Sequence, residues 1–269
     1  LREDRRILLA EDNPVNQKVA RATLERMGLR VETVGDGREA IAAWESGRFD
    51  LILMDCQMPE LDGYAATREI RRREAGGARR IPIVALTAHA MKGDDVACRE
   101  AGMDDYLTKP LDRARLETCL EQYLGGPAPQ IAENSAGSQA VSRPVPSQSP
   151  GNAQEDPAGA PLDWNALMKT ADGDEEFARE LVALFIESGD QTLAAIQAAL
   201  DAGDCATLGA KAHSLKGASA NLHAQAAATA AARLEAAARA GRSDEVAQLA
   251  QTLRAEIART IDYLRTKVA

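Results

Sequence analysis

Aromatic side chains are scarce: three Phe, two Trp and four Tyr make up 3% of the 269 residues. Apolar residues still reach 45%, and alanine is dense in the second half. A core made this way relies on small and medium side chains, which favours packed helices. No run of eighteen apolar residues occurs, so the sequence predicts no membrane-spanning helix. It also shows no secretory signal. The four cysteines, Cys56, Cys98, Cys119 and Cys205, show no Cys-x-x-Cys spacing. That argues against a zinc site or disulfide framework and suits a reducing, cytoplasmic setting. An excess of positive charge is missing too. Residues 1–124 carry 20 basic and 23 acidic side chains, and residues 162–269 carry 11 and 15, within a net charge of −9. Neither part reads as a nucleic-acid binder. The cluster Arg71–Arg73 with Arg79 and Arg80 reads as a solvated helix end and loop. No Gly-rich phosphate loop is present, so ATP-driven chemistry has no seat in the chain.

Residues 5–124 alternate between two kinds of segment. "RRILLA", "RVETV", "DLILMD", "IPIVALT" and "DYLTK" are short apolar runs bounded by charge, Gly or Pro. Between them lie stretches with helical spacing: Val15, Val19, Ala22, Leu24 and Met27 before Gly28, then residues 38–45, 64–73, 94–101 and 113–123. This is βα repeated five times. Continuous apolar strands imply burial on both faces and hence a parallel sheet. The predicted fold is a flavodoxin-like (βα)5 unit over residues 1–124. Residues 125–161 are rich in Pro, Gly, Ser, Ala and Gln with few bulky apolar residues, and read as a flexible linker. Residues 162–269 are helical throughout. Breaks are expected near 172–173, 189–190, 202–204, 222–224 and 241–243, with Asp204 and Ser243 as N-caps. Long segments at 174–200, 204–222, 224–240 and 244–267 predict a four-helix bundle.

In the flavodoxin-like order strand 1 is central and strand 3 is its neighbour. Glu11 and Asp12 follow strand 1 and Asp55 closes strand 3, so three carboxylates converge on one strand edge. Their mutual repulsion calls for compensation, and Mg2+ prefers carboxylates completed by water. Lys109 after strand 5 adds a positive charge, and Thr87 at the end of strand 4 adds a hydroxyl. A carboxylate so placed can act as a nucleophile toward phosphorus. The segments "LLAEDNPVNQ", "DLILMDCQMPELDGY", "PIVALTAHA" and "DDYLTKPLD" resemble the receiver domains of bacterial response regulators. "EDNPVNQ" and "LTAHAM" are similar to receivers attached to hybrid sensor kinases. The resemblance implies that Asp55 is the phosphoacceptor. It implies that Glu11, Asp12, Asp55 and the backbone carbonyl of Gln57 hold Mg2+, and that Thr87 and Lys109 contact phosphoryl oxygens. It implies that Tyr106 changes rotamer with Thr87 and that a cis bond joins Lys109 to Pro110. Cys56 reads as core filler, and His89 as a surface or partner contact.

The stretch "AKAHSLKGASA" places His213 in an alanine-rich helix. At about 100° per residue, Leu208, Ala212, Leu215, Ser219 and Leu222 form one stripe, and His213 lies about 140° from Leu208. The imidazole is therefore expected on the solvent side. Gly209 and Gly217 nearby suggest clearance for a docking surface, and Lys216 can attract a phosphoryl group. "HSLKGASANL" resembles histidine phosphotransfer (HPt) domains. The resemblance makes His213 the phosphorylated residue, with Lys216 assisting and Gly217 giving room. His223 departs from the pattern, since the family usually has Gly there. It is expected to alter the turn or the docking rim.

Together these resemblances imply a two-component phosphorelay. Asp55 accepts a phosphoryl group from a kinase histidine, and His213 relays it to a downstream response regulator receiver. A linker of 37 residues spans roughly 30–36 Å r.m.s. and gives an effective concentration on the order of millimolar. Transfer within one chain or between two is compatible with this. The chain opens without Met and reads as the tail of a hybrid sensor histidine kinase. The kinase core is expected in the missing part of that protein, which is anchored in the bacterial inner membrane. No nucleic acid and no direct membrane contact are expected of this region. Two other readings remain. The bundle could be a docking adaptor gated by Asp55 phosphorylation, with His213 not an acceptor. A Mg2+-dependent phosphatase would want an acid/base carboxylate at position 57, where Gln57 stands.

Overall fold

The computed structural model describes residues 4–77, 79–87, 94–125 and 160–268. Residues 125–161 therefore lie almost wholly outside the described residues, as does His89. The first part alternates β1 (Arg6–Ala10), α1 (Pro14–Arg26), β2 (Arg30–Val34), α2 (Gly37–Glu45), β3 (Leu51–Asp55), α3 (Gly63–Glu74), β4 (Ile83–Thr87), α4 (Asp94–Ala101), β5 (Asp105–Thr108) and α5 (Arg113–Leu124). The second contains α6 (Trp164–Thr170), α7 (Glu175–Ala202), α8 (Cys205–Asn221), α9 (Gln225–Arg239) and α10 (Ser243–Val268).

All pairings in the five-stranded sheet are parallel, in the order β2-β1-β3-β4-β5. Strand side chains alternate between two cores. Leu8, Ala10, Ile52, Met54, Ile83 and Ala85 join residues of α2, α3 and α4 on one face. Ile7, Leu9, Leu51, Leu53, Val84 and Leu86 join α1 and α5 on the other. Both faces are covered, which is why β3 and β4 are apolar along most of their length and buried throughout. The register pairs Ala10 with Met54, Asp55 with Leu86, and Thr87 with Thr108. The residues at or just beyond these positions therefore meet on one carboxyl edge.

Helix α1 forms where the helical spacing predicts it, and it serves two neighbours. Ala20 and Leu24 pack on the sheet, whereas Val15 and Val19 enter the core of the helical region beside Leu181, Phe185 and Leu215. Its apolar residues form two stripes about 140° apart, one for each neighbour. The expected break at 189–190 is absent, because α7 runs unbroken to Ala202. Gly189 is buried there, and a Cβ would lie 3.8 Å from Ile257 Cγ2 of α10. It serves helix packing rather than termination. Asp204 caps α8 through Thr207 N, as expected. The helix expected to follow a Ser243 cap already includes Ser243.

The arginine cluster is also corrected. Arg71 is mostly buried and bonds Gly102 O, Ile81 O, Glu74 and Asp104 at 2.6–2.9 Å. It fastens α3 to the entry of β4 and to the turn before β5. Only its neighbours look outward, Arg72 pairing with Glu69 and Arg80 with Asp104.

Candidate functional site

Glu11 and Asp12 leave the end of β1, Asp55 ends β3, Thr87 ends β4, and Lys109 follows β5. One ligand oxygen from each of Glu11, Asp12 and Asp55 lies within 4.8 Å of the others. Lys109 Nζ stands 2.5 Å from Glu11 Oε2 and 2.6 Å from Asp55 Oδ2. Burial pushes the Asp55 carboxyl up to about 7; Lys109 opposes this, while Glu11 and Asp12 add to it. Burial and Glu11 raise Asp12 to about 6. The site thus holds three carboxylates against one buried ammonium, an excess of acid that a divalent cation would relieve.

The surrounding backbone is tightly placed. Gln57 N donates to Asp55 Oδ1 at 3.1 Å. A Cβ on Gly63 would come 2.0 Å from the carbonyl oxygen of Asp55, so only glycine admits α3 this close to the strand end. Lys109 N donates to Thr87 O at 2.7 Å, and the Lys109–Pro110 bond is cis. Thr87 and Cys56 are buried, and Tyr106 packs half-buried beside α3 and α4.

His213 is not exposed. It is only 6% accessible, and this overturns the expected solvent-side placement. The stripe itself is as read, with Leu208, Ala212, Leu215, Ser219 and Leu222 all buried. The opposite side is covered because the sheet domain docks there through α1. Asn13 caps α1 by accepting from Val15 N and Asn16 N, and its amide donates to Ser214 Oγ at 2.9 Å. Asn16 donates to Glu11 Oε1 and accepts from Asn221 Nδ2, both at 2.8 Å. A Cβ on Gly217 would lie 2.8 Å from Asn16 Nδ2. The clearance expected at Gly217 is real, and the surface filling it is the chain's own α1. Gly209 has no such role, since a Cβ there would make ordinary contact with Ala238.

His213, Lys216 and Gly217 therefore line a cleft of about 300 Å³ together with Glu11, Asp12, Asp55 and Lys109. The imidazole is buried against this cleft rather than sealed in apolar packing. Its Nδ1 is 2.9 Å from Glu235 Oε1. Lys216 Nζ bonds Glu235 Oε2 at 2.7 Å, and Arg239 pairs with Oε1 at 2.7 Å. Burial pushes Glu235 up, but its hydrogen bonds with His213 and Lys216 outweigh that and hold it down at about 2. An ionised carboxylate only accepts, so Nδ1 carries the proton and Nε2 keeps the free lone pair. Burial lowers the His213 pKa against the pull of Glu235, with Lys109 and Lys216 also lowering it. The ring is thus neutral and nucleophilic near pH 7.

Sequence reasoning did not find Glu235, Asn13 or Asn16. Glu235 had a visible signal, being the single acid in α9, "QAAATAAARLEAAAR". The asparagines lay within the quoted "EDNPVNQ". His223 sits just past α8 at φ +57°, the left-handed conformation for which glycine is the usual choice. Its Nε2 is 2.8 Å from Thr170 Oγ1, so it shapes the turn against α6.

Residues 7–121 match the response regulator receiver domain, and residues 180–263 match the Hpt domain. Sensor histidine kinase GacS of Pseudomonas protegens is 35% identical over 218 residues, which cover 79% of this chain and 22% of that protein. Histidine kinase 1 of Arabidopsis thaliana is 47% identical over 141 residues, 40% of this chain and 12% of that protein. The receiver domain of sensor histidine kinase PA1611 from Pseudomonas aeruginosa PAO1, solved with a magnesium ion in its active site cleft, is 53% identical. It covers 46% of this chain and 99% of that one, with a TM-score of 0.43. The chain is a response regulator receiver domain joined to an Hpt domain. Its relatives that carry this pair are hybrid sensor histidine kinases, and it spans about a fifth or less of the length of the relatives it matches.

Proposed function

We propose that this chain passes a phosphoryl group between Asp55 and His213 within the docked pair. The supporting observation is the shared cleft, which places the buried acid and the imidazole on one enclosed space. Residues 1–124, 125–161 and 162–269 act as receiver, linker and phosphotransfer domain. In the transfer step His213 Nε2 attacks phosphorus, an N–P bond forms, and the acyl O–P bond breaks. Asp55 leaves as a carboxylate, which Lys109 stabilises. Positive charge developing on the ring is matched at Nδ1 by Glu235. Lys216 and Lys109 flank the cleft and neutralise phosphoryl oxygens, and Thr87 offers a further donor. Glu11, Asp12, Asp55 and the Gln57 carbonyl would hold Mg2+, which when bound supplies charge neutralisation for the phosphoryl group. Tyr106 follows Thr87 as the switch aromatic.

The kinase core of the parent protein would supply the group to Asp55, and a downstream receiver would take it from His213. This region works in the cytoplasm of a parent anchored in the inner membrane. Among the described residues no helix is long and apolar enough to cross a membrane.

Loading the chain with a small acyl phosphate and Mg2+ tests the reading. Wild type should show base-labile label first and acid-labile label later. Asp55→Asn should show neither, and His213→Gln only the base-labile form. Acid-labile label in Asp55→Asn, or its persistence in His213→Gln, refutes the assignment. Retention of phosphorylation-dependent binding to a downstream receiver in His213→Gln, without transfer in wild type, would favour the adaptor.

A further inference from the structure

The Hpt match begins at residue 180, yet the chain before it also grips the receiver. Arg26, the last residue of α1, lands on the corner between α6 and α7. Its Nη1 and Nη2 donate to the carbonyls of Thr170 and Ala171 at 3.4 and 3.2 Å. It pairs with Asp172 at 3.2 Å, and its guanidinium carbon lies 5.2 Å from the Phe177 ring centroid. Lys18, about two turns earlier on α1, pairs with Glu180 at 2.5 Å and lies 5.7 Å from the centroid of the same ring. One aromatic ring thus meets two cations of the other domain, with an acid beside each.

We propose that Phe177, Asp172 and Glu180 form a cation clasp that reads Lys18 and Arg26 and selects the chain's own receiver over others competing for the bundle. The consequence for phosphoryl flow rests on the relay reading, but the docking claim does not. The asparagine contacts beside His213 are neutral and fix register. The clasp adds charge, so a receiver with acids at these two positions meets like charge and is rejected. Arg26 makes two carbonyl bonds, an ion pair and a ring contact with one planar group, which an ammonium cannot reproduce.

Amide hydrogen exchange on the full chain reads docking without any phosphoryl chemistry. Lys18→Glu and Glu180→Lys should each raise exchange of amides in α1 and α8, by about tenfold for a charge reversal beside the ring. The double exchange Lys18→Glu/Glu180→Lys should recover most of the protection, which a merely structural role for either residue would not predict. Phe177→Ala should act in the same direction with secondary structure retained. An isolated receiver with acids facing positions 172 and 180, added in excess, should draw label from phosphorylated His213 faster in Glu180→Lys than in wild type. Unchanged exchange in Lys18→Glu and Phe177→Ala, or no recovery in the double variant, overturns the clasp. Loss and recovery of docking with no label ever on His213 leaves the clasp standing and removes the relay.

Discussion

On the sheet edge one ammonium, Lys109, lies between the buried carboxylates Glu11 and Asp55, with Asp12 close by. On the bundle one carboxylate, Glu235, lies between an imidazole, an ammonium and a guanidinium. The first site has too many acids and the second too many bases. Burial acts on both, yet the acids respond oppositely: Asp55 rises to about 7 and Glu235 falls to about 2. Asp55 carries an incompletely compensated charge. Glu235 is fully compensated and holds the imidazole still. Docking brings the negative site against the positive one, so each half offsets part of the other's imbalance.

The same chemical change should therefore have opposite effects at the two acids. Glu235→Gln removes the ionised partner of buried Lys216 and should cost about 3 kcal/mol, read from the denaturant midpoint at pH 7. It also frees the ring tautomer and should slow transfer to His213 by about tenfold or more. Asp55→Asn removes a carboxylate held above its ordinary range and should raise stability by about 1 kcal/mol at pH 7–8. A loss of stability in Asp55→Asn would break the contrast.

The pH dependence sharpens it. An acid whose folded pKa is raised from 3.8 to about 7 favours the folded state least when ionised. Its effect on stability is neutral below about pH 4 and increasingly unfavourable up to about pH 7. An acid lowered from 4.5 to about 2 contributes stability above about pH 4.5, and that contribution is lost as the pH falls toward 2. In chelator, the acid cluster should lower stability between pH 4.5 and 7.5, against a rise up to about pH 6.5 from His213 and His223, whose burial lowers their pKa. The slope should shrink in Asp55→Asn, leaving the part due to Asp12, and should shrink further on adding Mg2+, which both acids would hold. A slope unaffected by either change would show that the acid cluster does not set it.

The two sites were not equally legible in the sequence. The sheet edge could be read because parallel topology fixes where every strand ends, so Glu11, Asp55, Thr87 and Lys109 had to meet. The bundle site could be read only along one helix. The wheel separated His213 from the Leu208–Leu222 stripe correctly, but a wheel does not show what covers the other side. Glu235 comes from a neighbouring helix, and α1 from another domain. The paired stripes of α1 could be separated only once the bundle was seen against Val15 and Val19. Arg71 was misread for the same reason, since its partners Asp104 and Gly102 lie far along the chain.

A smaller effect is expected at the seam between the halves. Gly217→Ala would put a methyl 2.8 Å from Asn16 Nδ2, the far end of a side chain that can turn away. Asn16 would then lose the bond that its Nδ2 donates to Glu11 Oε1. Cis transfer should fall about three- to tenfold, of the order of one hydrogen bond, while helix stability stays level or improves slightly. Gly209→Ala, with only ordinary contact at 3.6 Å, should leave transfer unchanged. Equal effects of the two substitutions would show that helix propensity, not clearance, is being measured.

The smallest effect expected is at His223, and it separates strain from contact. At φ +57° a non-glycine residue is strained, by about 1 kcal/mol. The bond to Thr170 Oγ1 at 2.8 Å returns a similar amount. His223→Gly removes both, so the bundle's stability should change by less than about 1 kcal/mol. His223→Ala keeps the strain and loses the bond, and should be less stable than the glycine variant by about 1 kcal/mol. Both are read from thermal or denaturant unfolding. An alanine variant as stable as the glycine one would mean that the turn relaxes out of the left-handed conformation once the imidazole is gone. The Thr170 contact, rather than the chain reversal itself, would then be what holds His223 there.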